Sequence, residues 1–145
     1  MTLDEILKGS DLLQRYLNVL LVKPNSLPEK HIIKNTLKEK QKLVDGLIEY
    51  TYIQGCDDVA IICNEEGKLN NLPINRDIGH DIIFGNFIIV GDDPELGEDR
   101  SLTETQIEKY TKLFGKKSIE KTNQRVNEII EDKLINDLLY WKEVV

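Results

Sequence analysis

Three stretches of the chain are apolar at almost every position: Asn18 to Val22, Val59 to Cys63, and the run from Ile82 to Val90. Continuous apolar runs this short, bounded by turn residues, read as strands covered on both faces. Lys23-Pro24 stops the first, and the third reads as strand from Asn86 onward, with Gly85 marking a bulge or a close backbone approach. Leu47 to Ile53 alternates apolar and polar positions, which predicts a strand with one face more exposed. His31-Ile32-Ile33 predicts a short strand. Leu72-Pro73-Ile74 runs extended, because a residue before proline avoids the helical region.

Helical spacing appears in four places. Thr2-Leu3-Asp4-Glu5 has the form of a capping box before Leu3, Ile6, Leu7, Leu13, Tyr16 and Leu17. Asn35 or Thr36 should cap a helix through Asp45, with Leu37, Lys40 and Val44 on one face and Gly46 as the left-handed residue after it. Ser101-x-x-Glu104 and Thr103-x-x-Gln106 both resemble capping boxes ahead of Ile107, Tyr110, Thr111 and Phe114. A last helix is predicted from about Ser118 to Trp141, with Val126, Ile129, Ile130, Leu134, Leu138 and Trp141 as its apolar stripe. Packing of this stripe across its own domain is expected; pairing with a copy or a partner stays open.

The expected fold class is α+β: one mixed or mainly antiparallel sheet of about 4–5 strands with packed helices, plus a long C-terminal helix. The expected organisation is an N-terminal helical segment over 1–17, a core over 18–115 and a C-terminal helix over 116–145.

Composition narrows the chemistry. The 145 residues are 31% charged with a formal net charge of −7, so direct nucleic-acid binding is not expected. No apolar run is long enough for a membrane span and the start lacks a signal-peptide pattern, so the host-cell cytoplasm is the expected location and no membrane partner is expected. Cys56 and Cys63 are too few for a disulfide framework and lack zinc-ligand spacing. No cofactor, metal or catalytic residue is assigned.

Two segments carry candidate chemistry. The polar span after Cys63 holds Asn64, Lys68, Asn75, Arg76 and Asp81, read as ligand-binding candidates. Arginine after the stiff Pro73 turn offers a planar fork for carboxylate or phosphate, and asparagine beside it can read an amide or base edge. The competing reading is structural: Asn75 closes a turn, and Arg76 pairs with Asp77, Asp81 or Glu65. The turn Glu65-Glu66-Gly67-Lys68 leaves Gly67 free to take positive φ. Asp92, Asp93, Glu95, Glu98 and Asp99 form an acidic loop, which together with Leu134, Leu138 and Trp141 is read as partner-binding.

The segments NVLLVKP, VAIICNEEGKLNNLPINR, DIIFGNFIIVGDD and the T-x-x-Q-I-x-K-Y-x-x-x-F-G helix resemble a domain-of-unknown-function family found mostly in phages, plasmids and conjugative elements of Gram-positive bacteria. The resemblance spans about 18–115 and is carried most specifically by Asn64, Glu65, Gly67, Lys68, Pro73, Asn75 and Arg76, with Asp81, Gly85 and Gly91. It implies a mobile-element accessory protein and no transferable activity. The leading expectation is a non-catalytic binding protein, a counter-defence inhibitor that occludes a host immune protein or holds a nucleotide-like signal. The alternatives are a small enzyme using Asn64, Glu65, His80 and Asp81 on a nucleotide or other polar substrate, and an accessory protein without ligand.

Overall fold

A computed structural model describes residues 15–93 and 95–144. The predicted N-terminal helix lies outside those residues, apart from Tyr16 and Leu17, which are strand. The chain runs β1 (Tyr16–Val22), β2 (Glu29–Lys34), α1 (Leu37–Val44), β3 (Ile48–Thr51), β4 (Val59–Asn64), β5 (Ile74–Asp77), β6 (Ile82–Phe84), β7 (Phe87–Asp93), β8 (Glu98–Arg100), α2 (Glu104–Leu113) and α3 (Lys116–Val144). The class is α+β, as expected. The main sheet is antiparallel in the order β2-β1-β7-β4-β3, with β8 paired to β7. β5 and β6 form a separate two-stranded ribbon.

The three apolar runs are the three inner strands, β1, β7 and β4, and their register sorts them into two cores. Leu20 pairs Ile89, which pairs Ile61. These face one side with Phe87, beneath Ile78 and Ile83 of the ribbon region and Tyr110 and Phe114 at the α2 end. Leu21, Ile88 and Ile62 face the other side with Val19, Ile33 and Val90, against Leu43 of α1. Both faces are covered, so polar alternation is not needed on these strands. Each such fully buried aliphatic side chain is worth about 1.5–3 kcal/mol relative to exposure.

Several local expectations are corrected. Thr36 caps α1, its hydroxyl accepting from the Glu39 amide. The left-handed residue after it is Asp45 (φ 61°), not Gly46. Gly46 supplies space instead: a Cβ there would lie 2.8 Å from Asn64 Nδ2. Leu37 is exposed, while Lys40 and Val44 are buried. Gly67 does not take positive φ; a Cβ would lie 2.6 Å from the Phe84 carbonyl oxygen, so close approach of the ribbon requires it. Gly85 does take φ 84°, turning the chain from ribbon to main sheet.

The acidic stretch is not a loop. β7 continues to Asp93 and folds back through β8, pairing Gly91 with Arg100 and Asp93 with Glu98. Of the two capping boxes, Thr103 and Gln106 form one reciprocally at α2. The Ser101 hydroxyl instead accepts from the Asn18 amide.

α3 departs most from expectation. Only its first turns dock: Thr122 Oγ1 accepts from the Asp77 amide at 2.9 Å, and Arg125 pairs with Asp77 at 2.6 Å. From Asn127 to Lys142 every residue is exposed. The stripe therefore does not pack across its own domain.

Candidate functional site

The polar span after Cys63 forms the turn after β4 and the ribbon, and it divides into a buried half and an exposed half. Asn64 is buried: Nδ2 donates to the Val44 carbonyl at 3.0 Å, and Oδ1 accepts from the Glu66 amide at 2.8 Å. It ties the end of α1 to the turn. Asn75 is also buried, with Nδ2 donating to the carbonyls of Val22 and Gly85 at 2.9 and 2.8 Å.

Arg76 corrects the expectation of an open fork. Its side chain is fully buried (0% exposed). Nη1 donates to Asn75 Oδ1 at 2.9 Å, and Nη2 to the carbonyls of Ser26 and Phe114 at 2.5 and 3.1 Å. None of Asp77, Asp81 and Glu65 pairs with it: Asp77 holds Arg125, and Asp81 holds Lys68. Among the described residues, Arg76 has no carboxylate partner, and its Nε has no hydrogen-bond partner. Burial pushes its pKa down. A buried cation held by carbonyls is costly, and its hydrogen bonds offset that cost. Its contacts join the β1–β2 connection, the ribbon and the end of α2, so its geometric role is that of a clasp.

The exposed half is a shallow cleft of about 190 Å³ whose lining includes Glu49, Cys63, Glu65, Lys68, Asp81 and Phe84. Lys68 and Asp81 pair at 2.5 Å, both about half exposed. Burial pushes Asp81 up, but hydrogen bonds from Lys68 and the Ile82 amide, with the charges of Lys68 and His80, hold it below the usual carboxylate range. Glu49, Glu65, Glu66 and Asp81 line this cleft against one lysine, so its field disfavours anions.

Of the residues of the enzymatic alternative, Asn64, Glu65 and Asp81 line this cleft, while His80 is outside its lining. The Cys63 thiol is pushed up to about 11, by burial first and then by Glu49 and Asp81, so it is a protonated thiol at neutral pH. His80 stacks on Tyr52 at 4.2 Å, with Nε2 3.3 Å from Thr51 Oγ1. Among the described residues, no group of three or more His, Cys, Asp or Glu is placed to hold a metal ion, and no helix is long and apolar enough to cross a membrane.

The acidic hairpin also splits. Asp93 is buried; it pairs with Arg100 at 2.5 Å and caps the Glu95 amide. Asp99 accepts from Lys40 at 2.5 Å and from the Tyr50 hydroxyl at 2.8 Å. Asp92, Glu95 and Glu98 remain exposed on the rim. On α3, Leu134, Leu138 and Trp141 are all more than half exposed, together with Ile129, Ile130, Ile135, Leu139 and Tyr140.

Two further features were not singled out from sequence. A cleft of about 360 Å³ lies between the β5–β6 turn and the start of α3, lined by Gln54, Asp77, Gly79, Phe114, Lys117 and Lys121. The basic residues just after Gly115 were its only sequence signal. Asp58 accepts hydrogen bonds from the Tyr110 hydroxyl and from Gln106 Nε2, fastening α2 to the β3–β4 connection. No short motif announces that pairing.

The model for the domain of unknown function DUF3846 matches residues 17–115, and the chain belongs to that family. No curated protein and no solved structure matches the chain. The matched segment contains the Asn75–Arg76 clasp and ends where α3 begins.

Proposed function

From a family that carries no assigned function, we propose that this protein is a non-catalytic binding protein of a phage or mobile element, and that it serves counter-defence by occluding a host immune protein. The observation that carries the reading is α3: sixteen consecutive exposed residues, Asn127 to Lys142, bearing an apolar stripe. An apolar face of that extent on a helix outside its own core marks an association surface.

The placement of polar groups supports the same reading. Asn64, Asn75 and Arg76 are engaged inside the fold, and the cleft beside them is lined by four carboxylates. That favours the protein-occluding version over the nucleotide-holding one. The exposed carboxylates Asp92, Glu95 and Glu98 sit on a hairpin held rigid by Asp93 and Asp99, which suits contact with a basic patch on the target.

The test is an infection assay in a host carrying an active immune system. Expression of the full chain should restore plaque formation, and a chain ending after Val126 should not. Equal plaque counts with full chain, truncated chain and empty vector would overturn the reading.

A further inference from the structure

We infer that the occupant of the α3 stripe is a second copy of α3, packed antiparallel about a two-fold axis level with Ile135. This rests on the reading of α3 as an association element. At 100° per residue, Val126, Ile129, Ile130, Tyr140 and Trp141 lie within about 60° of one line along the helix. Lys133 and Asp137 lie within about 20° of the same line, at its centre. Among the described residues neither has an ion-pair partner, although they are four apart on one helix. Opposite charges in the middle of an apolar seam are a register device: they weaken wrong pairings more than the right one.

The spacing says which pairing is right. Lys133 and Asp137 stand two residues either side of Ile135. Ile130 and Tyr140 stand five either side, and Ile129 and Trp141 six. An antiparallel copy therefore sets Lys133 against Asp137, twice. Apolar residues meet apolar ones at the two levels beyond. A parallel copy would set Lys133 against Lys133 and Asp137 against Asp137. The interface is isologous, as a two-fold pair requires. Ile129, Ile130, Leu134, Tyr140 and Trp141 are 52–63% exposed. They offer at most about 600 Å² per copy, against the ~800 Å² a standard interface takes from each partner. Leu138, Ile135 and Leu139 lie about 120° or more from that line and stay uncovered by this pair.

The experiment is sedimentation velocity on the full chain and on two charge variants, with far-UV circular dichroism confirming equal helix content. The wild type should sediment as a dimer. Lys133→Asp places Asp against Asp in its homodimer, and Asp137→Lys places Lys against Lys. Each should weaken self-association by about tenfold or more. Mixed one to one, the two variants should form a heterodimer near wild-type strength, because every central contact is then attractive. Contacts within one helix cannot produce that rescue. A monomeric wild type, single variants that dimerise like wild type, or a mixture without heterodimer would each overturn the proposal. A monomeric chain that co-purifies with a different protein through α3 would overturn the pair while leaving the binding reading in place.

Discussion

Asn75 Oδ1 accepts a hydrogen bond from Arg76 Nη1 at 2.9 Å, and both side chains are buried. The neighbours are held from two directions, Asn75 by Val22 and Gly85, Arg76 by Ser26 and Phe114. The most polar pair of the loop thus faces inward, where it joins three segments far apart in sequence.

Removing that clasp should cost stability. Arg76→Ala leaves a cavity and strands several buried carbonyls, so a loss of about 3 kcal/mol or more is expected by urea unfolding. Arg76→Lys should also destabilise, because an ammonium lacks the planar fork that reaches both Asn75 and Phe114. Wild-type stability in Arg76→Ala would sink the clasp.

The Asp58 cluster gives the fold an acid sensitivity. Burial pushes Asp58 up, but hydrogen bonds from Tyr110 and Gln106, its own backbone amide and the charge of Lys109 hold it below the usual range. A carboxylate depressed in the folded state contributes stability that is present above its unfolded pKa of about 3.9 and is lost as pH falls through the folded value. Asp77 and Asp81 are depressed in the same sense. Stability should hold from neutral pH to about 5 and decline below about 4. Asp58→Asn should flatten that decline; a variant with an unchanged slope would remove Asp58 as a source.

The two thiols should behave differently. Cys63 is buried with its thiol pushed up, while Cys56 is partly exposed. Titration with a disulfide reagent at pH 8 should modify one thiol rapidly and the second only with unfolding. Rapid modification of both would contradict the packing of β4.

The core should not depend on the far part of α3. Ending the chain after Val126 keeps Thr122 and Arg125 on Asp77. At a dilution where both chains are monomeric, its thermal midpoint should lie within about 4 °C of the full chain. A large drop would mean that the exposed stripe packs on its own domain after all.

The legible parts of the fold were those with a local cause. β1, β4 and β7 follow from unbroken apolar runs, and the α2 cap from Thr103 and Gln106. The acidic hairpin was misjudged because Asp93 and Asp99 suggest solvent, whereas Arg100 across the hairpin and Lys40 of α1 supply their partners. Arg76 was misjudged for a similar reason. Beyond Asn75 Oδ1, its acceptors include the backbone carbonyls of Ser26 and Phe114, which leave no mark in side-chain identity. The stripe on α3 was legible as a stripe. What it packs against depended on where the domain surface ends, which periodicity does not encode.

The central claim is that α3 associates while the loop chemistry stays internal. Native mass spectrometry of the full chain purified from its host tests it most directly. The account predicts protein assemblies containing two copies of the chain, no bound small molecule, and loss of assembly when the chain ends after Val126. A single chain carrying a stoichiometric small molecule, unchanged by that truncation, would contradict it.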